Sequence, residues 1–185
     1  MEENKTPDKN LLSRGAFIKN TALTAAAFSI VPRHVLGGKG FTAPSDKLYI
    51  AAVGCGGEAA NDIAHYASAP KKNAVIAFLC DVDDRMAAPR RKEFPKAPFY
   101  QDWREMFEKE SKNFDAVSVA IPDHNHAIVG LSAMQMKKHL YLQKPLTHDI
   151  YEARILTQAA KKYKVVTQMG DQGACLLYTS DAADE

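Results

Sequence analysis

Short apolar runs alternate along this chain with stretches in which apolar residues recur every three or four positions. The runs are Leu48–Val53, Ala74–Leu79, Ala116–Ile121, Leu140–Leu142 and Val165–Met169. They are nearly continuous, whereas a strand with one wet face would alternate apolar with polar, so they read as strands buried on both sides. Between the first two, Glu58–Ala67 places Ala59, Ile63, Tyr66 and Ala67 on one helical face. A second helix opens at Asp102-Trp103-Arg104-Glu105, which has the form of a capping box, and carries Met106 and Phe107 inward. A third runs through Ile128, Leu131 and Met134 to a basic end at Lys137, Lys138 and His139, where cations suit the helix dipole. Thr147 is placed to cap a fourth, with Asp149 and Glu152 in its first turn and Ile155, Leu156 and Ala159 inside. Alternating strands and helices of this kind predict an α/β fold with a doubly wound parallel sheet.

Composition narrows the partners rather than the fold. The 185 residues carry a formal net charge of only +2, with 25% charged and 46% hydrophobic residues. Such a balance argues against a nucleic-acid or anionic-membrane partner. Lys161 and Lys162 read as a solvated helix face, and Asp83 as a turn residue. Cys55, Cys80 and Cys175 lack the paired spacing of a zinc site or a disulfide framework. The i, i+2 pair His124 and His126 has no evident third ligand, so no metal is expected.

Two ends differ in character from the middle. Residues 1–44 read as an export-signal-like segment and linker. Ser13-Arg14-Gly15-Ala16-Phe17-Ile18-Lys19 precedes a modest apolar run from Thr21 to Val31 and then Pro32. It resembles a twin-arginine signal in which Gly15 takes the place of the second arginine, and a periplasmic location follows if it functions. The final residues, 175–185, back-translate to a sequence resembling a transposase-type sequencing adapter read in frame, and are set aside from the fold. The folded part is therefore expected at 45–174.

The chemistry begins at Gly54-Cys55-Gly56-Gly57-Glu58-Ala59, which follows the first strand and opens the first helix. This is the G-x-G-x-x-A form of the dinucleotide fingerprint: Gly54 for the tight turn, Gly56 for approach of the pyrophosphate, Ala59 for close helix–strand packing. The helix N-terminus, with Cys55 and Gly57 beside it, offers N–H donors and positive potential to phosphates. Asp81 ends the second strand about 20 residues further on, where a carboxylate accepts from the adenosine ribose hydroxyls. It would repel a 2′-phosphate, so NAD is favoured over NADP, although Arg85 nearby leaves room for the phosphorylated form. A Rossmann fold is the expectation. These features alone also fit a methyltransferase that binds S-adenosylmethionine.

The second half separates the two. Ala120-Ile121-Pro122-Asp123-His124-Asn125-His126 follows the fourth strand, and Gln143-Lys144-Pro145-Leu146 the fifth. With Thr167-Gln168-Met169-Gly170-Asp171-Gln172-Gly173 they resemble the glucose–fructose oxidoreductase, inositol dehydrogenase and rhizopine catabolism family, whose usual forms are T-P-x-x-x-H and E-K-P. The resemblance spans Lys47 to Gly173. It implies that Lys144 is catalytic, hydrogen-bonding a substrate hydroxyl and assisting proton transfer as hydride moves to nicotinamide. It places Pro122 and His126 in the loop against the nicotinamide, and Gln143 beside the cofactor where the family carries glutamate. It further implies a sugar, polyol or related secondary alcohol as substrate, a homo-oligomer, and a C-terminal α/β substrate domain missing from this chain. Two other readings stay open: an NAD-dependent glycosidase of the same family, and a non-catalytic nucleotide-binding module.

Overall fold

The computed structural model describes residues 42–69 and 73–171. The export-signal-like stretch through Gly40 and the tail at 175–185 lie outside the described residues, as does Cys175. After a short 3-10 turn at Pro44–Asp46, the chain forms β1 (Leu48–Val53), α1 (Gly57–Ala67), β2 (Ala74–Cys80), α2 (Asp84–Glu93) and β3 (Phe99–Tyr100). It continues with α3 (Trp103–Glu110), β4 (Ala116–Val119), a 3-10 turn (Asp123–Asn125) and α4 (His126–Gln135). β5 (His139–Gln143), α5 (Ile150–Tyr163) and β6 (Thr167–Gly170) complete it. The six strands make one sheet in the order β3-β2-β1-β4-β5-β6, and each recorded strand pair is parallel. This is the doubly wound Rossmann order, in which the direction of winding reverses between β1 and β4.

Burial on both faces explains the apolar runs of β1, β2 and β4, but not the last run. β6 starts at Thr167 rather than Val165 and is an edge strand, with Thr167, Gln168 and Met169 exposed and Gly170 buried. In β1, Ala51 and Val53 join one core with Phe78, Met106, Phe114, Val129 and Leu142. Their neighbours Ile50 and Ala52 join another with Ile63, Ile76, Leu79 and Ala87. The register between β1 and β2 shifts at Ile50/Ala51, where Ile76 and Phe78 become successive partners and Ala77 is passed over. That bulge changes the parity of β2, so Ile76 and Phe78 serve opposite cores although both are two-residue neighbours. Leu79, Met106, Phe114 and Leu142 are each 1% exposed or less. Burying side chains of this size stabilises by about 1.5–3 kcal/mol apiece.

Helix entry differs from the sequence expectation at two points. Asp102 accepts from the N–H of Arg104 rather than Glu105, and the Glu105 carboxylate reaches forward to Lys109 instead of back. The capping box is thus only half formed, because an i, i+4 ion pair competes for the glutamate. Asp149, not Thr147, caps α5, taking the N–H of Glu152, while the Thr147 hydroxyl donates to the Asp149 carbonyl. A carboxylate next to the helix gains from the dipole as well as the hydrogen bond, and a hydroxyl two residues earlier gains neither. Helix α2 and strand β3 were not signalled by periodicity: α2 carries Pro89 and only one buried residue, Ala87, and β3 is two residues long. Among the described residues no helix is long and apolar enough to cross a membrane.

Candidate functional site: a nucleotide cleft at the strand reversal

At the carboxyl ends of β1, β2 and β4 lies a cleft of about 610 Å3. Val53, Gly54, Gly56, Asp81, Ala120 and Pro122 line it from the reversal point. In open parallel sheets of this winding, the crevice outside those strand ends is where ligands bind. Gln101–Arg104 and Asn125 close its sides, and Val82 and Met86 its rim.

The glycine turn is built for close approach. Gly54 has φ +100°, and a Cβ there would stand 2.1 Å from the Ala120 carbonyl oxygen. The turn is therefore pressed against the strand that begins the second half of the sheet, and only glycine permits it. At Gly56 a Cβ would meet the Met86 side chain, with its terminal methyl at 2.3 Å. A flexible thioether thus packs over the position where the fingerprint predicts a pyrophosphate.

Helix α1 begins differently from most of the others. Aspartates cap α2, α3 and α5 by accepting first-turn N–H groups. Neither α1, entered at Gly56, nor α4, entered at Asn125, has a side-chain cap. Both entry residues line the cleft. The first-turn N–H groups of α1 thus carry no side-chain cap among the described residues, and apart from the apolar Met86 side chain beside Gly56 they are left for an anion in the cleft.

Asp81 is half-buried, and each of its carboxylate oxygens already has a partner. Oδ2 accepts the Cys55 N–H at 2.8 Å, and Oδ1 accepts the Asp83 N–H at 2.9 Å. It therefore ties the glycine turn to the end of β2, and its remaining lone pairs are left for a ribose. Cys55 contributes only backbone here. Its side chain is 1% exposed, its Sγ lies 3.6 Å from the Cys80 carbonyl, and burial, aided by the Asp81 charge, pushes its thiol up to about 12. Arg85 is held by Asp83 through Nε at 3.0 Å and a terminal nitrogen at 2.8 Å. The same contacts, with Asp83 also capping α2, hold the Asp83 carboxyl down at about 2.

The residues expected at the nicotinamide end divide. Pro122 lines the cleft. His126 lies beneath it: the side chain is 1% exposed, and Nδ1 is 2.6 Å from the Pro145 carbonyl. That distance assigns the proton to Nδ1 as donor, and Nε2 is buried with no hydrogen-bond partner among the described residues. His126 thus anchors the loop after β5 to the start of α4. Lys144 is exposed at the carboxyl end of β5, and its N–H donates to the Gly170 carbonyl at 3.0 Å. Gln143 is 4% exposed and turns away from the cleft, donating from Nε2 to Asp62 of α1 at 3.0 Å. His124 is exposed, with its Nε2 3.1 Å from the Asn125 amide nitrogen, whereas His126 is buried.

Sequence reasoning passed over Asp62. It is 2% exposed, and it falls on the α1 face already marked by Ala59, Ile63 and Tyr66. An ionisable residue on the apolar face of a helix was the available signal. Gln101–Arg104 were missed as cleft residues because β3, which delivers them, has too few residues to show a period.

Residues 48–171 match the family described as "Oxidoreductase family, NAD-binding Rossmann fold". Over 88 residues the chain is 25% identical to levoglucosan dehydrogenase of Pseudarthrobacter phenanthrenivorans, covering 48% of this chain and 22% of that protein. An oxidoreductase from Agrobacterium radiobacter, solved with NAD+, L-tartaric acid and magnesium, superposes with a TM-score of 0.61 at 24% identity. The match covers 66% of this chain and 35% of that one. A scyllo-inositol dehydrogenase from Lactobacillus casei gives 0.60 at 21% identity, covering 68% and 36%. The two solved structures share the fold, and this chain spans little more than a third of their length. Its glycine turn, strand order and cleft are those of an NAD-binding domain, and the chain belongs to the Gfo/Idh/MocA oxidoreductase family.

Proposed function

We propose that this domain holds NAD for an oxidoreductase that moves hydride between the cofactor and a secondary alcohol of a sugar or polyol. The observation that carries the reading is the conjunction at one cleft of Gly54 pressed on Ala120, the uncapped start of α1, and Asp81. In this reading the α1 N–H groups take the pyrophosphate, Asp81 the adenosine ribose, and Pro122 borders the nicotinamide. NAD, when bound, supplies the hydride acceptor. Lys144, at the carboxyl end of β5, accepts a hydrogen bond from the substrate hydroxyl and takes its proton as the carbon is oxidised. The sugar or polyol class is supported by the levoglucosan and inositol dehydrogenases among the relatives. NAD over NADP is supported by Asp81, which repels a 2′-phosphate, and by Arg85 being paired with Asp83.

Absorbance of NADH, followed with the full-length gene product over a panel of sugars and polyols, tests this. Substrate-dependent NADH formation that Lys144→Met lowers at least about 100-fold in kcat, with NAD affinity kept, is the expected result. Turnover of glycosides without net NADH would instead favour glycosidase chemistry. An unchanged kcat in Lys144→Met would remove Lys144 from the mechanism.

A further inference from the structure

Asp62 and Gln143 are 81 residues apart in sequence and 3.0 Å apart in space, both nearly excluded from solvent. Asp62 belongs to α1, the helix that opens at the glycine turn. Gln143 is the last residue of β5, directly before Lys144. The carboxylate fixes which way the amide faces: Nε2 must point to Asp62, so Oε1 points the other way. There Oε1 lies 3.2 Å from the Lys144 N–H, which it shares with the Gly170 carbonyl at 3.0 Å. Gly170 has no side chain to intervene, since a Cβ would stand 2.8 Å from both Cδ and Oε1 of Gln143. Tyr141 completes the cluster. Burial first, then the Asp62 and Glu58 charges, raise its phenol, which also hydrogen-bonds Asp62. Tyr66 of α1 packs edge-on against Tyr141 at 5.7 Å and bonds Ser118 at 3.1 Å.

We propose that Asp62 is a positioning residue: through the Gln143 amide it fixes the backbone at Lys144 relative to α1, and so couples the phosphate end of the cleft to the end where Lys144 acts. This rests on the assignment of Lys144 to the nicotinamide end. It explains why an amide serves at position 143. A glutamate there would set a second carboxylate against Asp62 in a site with almost no water, and like charges so placed cannot both stay ionised. The donor and acceptor can instead be exchanged: Asn at 62 donates to Glu at 143, whose other oxygen still accepts from the Lys144 N–H.

Binding of NAD and of ADP-ribose, which lacks the nicotinamide, separates the two ends of the cleft in this chain. Titrations would compare the parent, Gln143→Glu, and the double variant Asp62→Asn/Gln143→Glu, with thermal melts alongside. The expected result is a loss of about tenfold in NAD affinity for Gln143→Glu, with ADP-ribose within about twofold, and recovery to within about threefold in the double variant. If Gln143→Glu does not fold, Gln143→Met removes the amide without adding charge and should show the same selective loss. Equal loss of both ligands would reduce the pair to a structural role and overturn the proposal. Failure of the double variant to recover would also overturn it, as would parental behaviour in both position-143 variants. A parent that binds neither ligand would instead sink the cofactor reading, and equal parental affinity for the two would sink the placement of Lys144.

Discussion

Gly54 and Gly57 both have positive φ, at +100° and +50°, but their surroundings differ. A Cβ at Gly57 meets nothing within 4 Å, whereas at Gly54 it strikes the Ala120 carbonyl. Gly57→Ala should therefore cost about 1–2 kcal/mol, the penalty of the left-handed region alone. Gly54→Ala should cost about 4 kcal/mol or more, because backbone cannot give way as a side chain can. Urea unfolding of the two variants measures the difference, and similar midpoints would mean that the turn does not press on β4. Cysteine reactivity checks the same neighbourhood. Burial, followed by Asp81 at Cys55 and by the neighbouring thiol at Cys80, pushes both thiols up to about 12. The thiolate is the reactive form, so iodoacetamide at pH 8 should leave both unmodified in the native chain and label both in urea. Gly54 and Asp81 were legible in sequence because the fingerprint encodes backbone chemistry. The Asp62–Gln143 contact was not, since nothing local to either residue reports a partner 81 positions away.

At the level of elements, the clearest departure is the start of α5. Thr147 fits the cap pattern in sequence, but Asp149 takes the role in three dimensions. Asp149→Ala should thus destabilise the domain by about 1 kcal/mol, and Thr147→Ala by clearly less. Chemical denaturation ranks them, and the reverse order would restore Thr147 as the cap. The long buried strands and the amphipathic helices α1, α3 and α5 announced themselves because their burial imposes a period. Helix α2 did not: four of its ten residues are basic or proline in the segment Pro89–Lys92, and it shows the core little more than Ala87. β3 owes its existence to two pairings, Leu79 with Phe99 and Cys80 with Tyr100. Such an element is created by its neighbour and leaves no signature of its own.

For the molecule as a whole, the alternation of apolar runs with helices made a doubly wound parallel sheet readable from pattern. The sixth strand, β3, and the order β3-β2-β1-β4-β5-β6 came from the structure. We expect residues 1–40 to direct export; fused to a reporter active only outside the cytoplasm, they should give activity, and Gly15→Arg should raise it. Silence from both fusions would assign the segment another role. The central claim is that NAD occupies the cleft at the β1/β4 reversal. Amide NMR of the 15N-labelled chain titrated with NAD tests it most directly. Saturable shifts are expected to concentrate at Gly54–Glu58, Asp81–Asp83 and Ala120–Ile121, with NAD binding tighter than NADP and Asp81→Ala weakening NAD by about 1–3 kcal/mol. Shifts centred instead on the groove between β6 and α5, around Leu156 and Met169, or no saturable shifts at all, would contradict it.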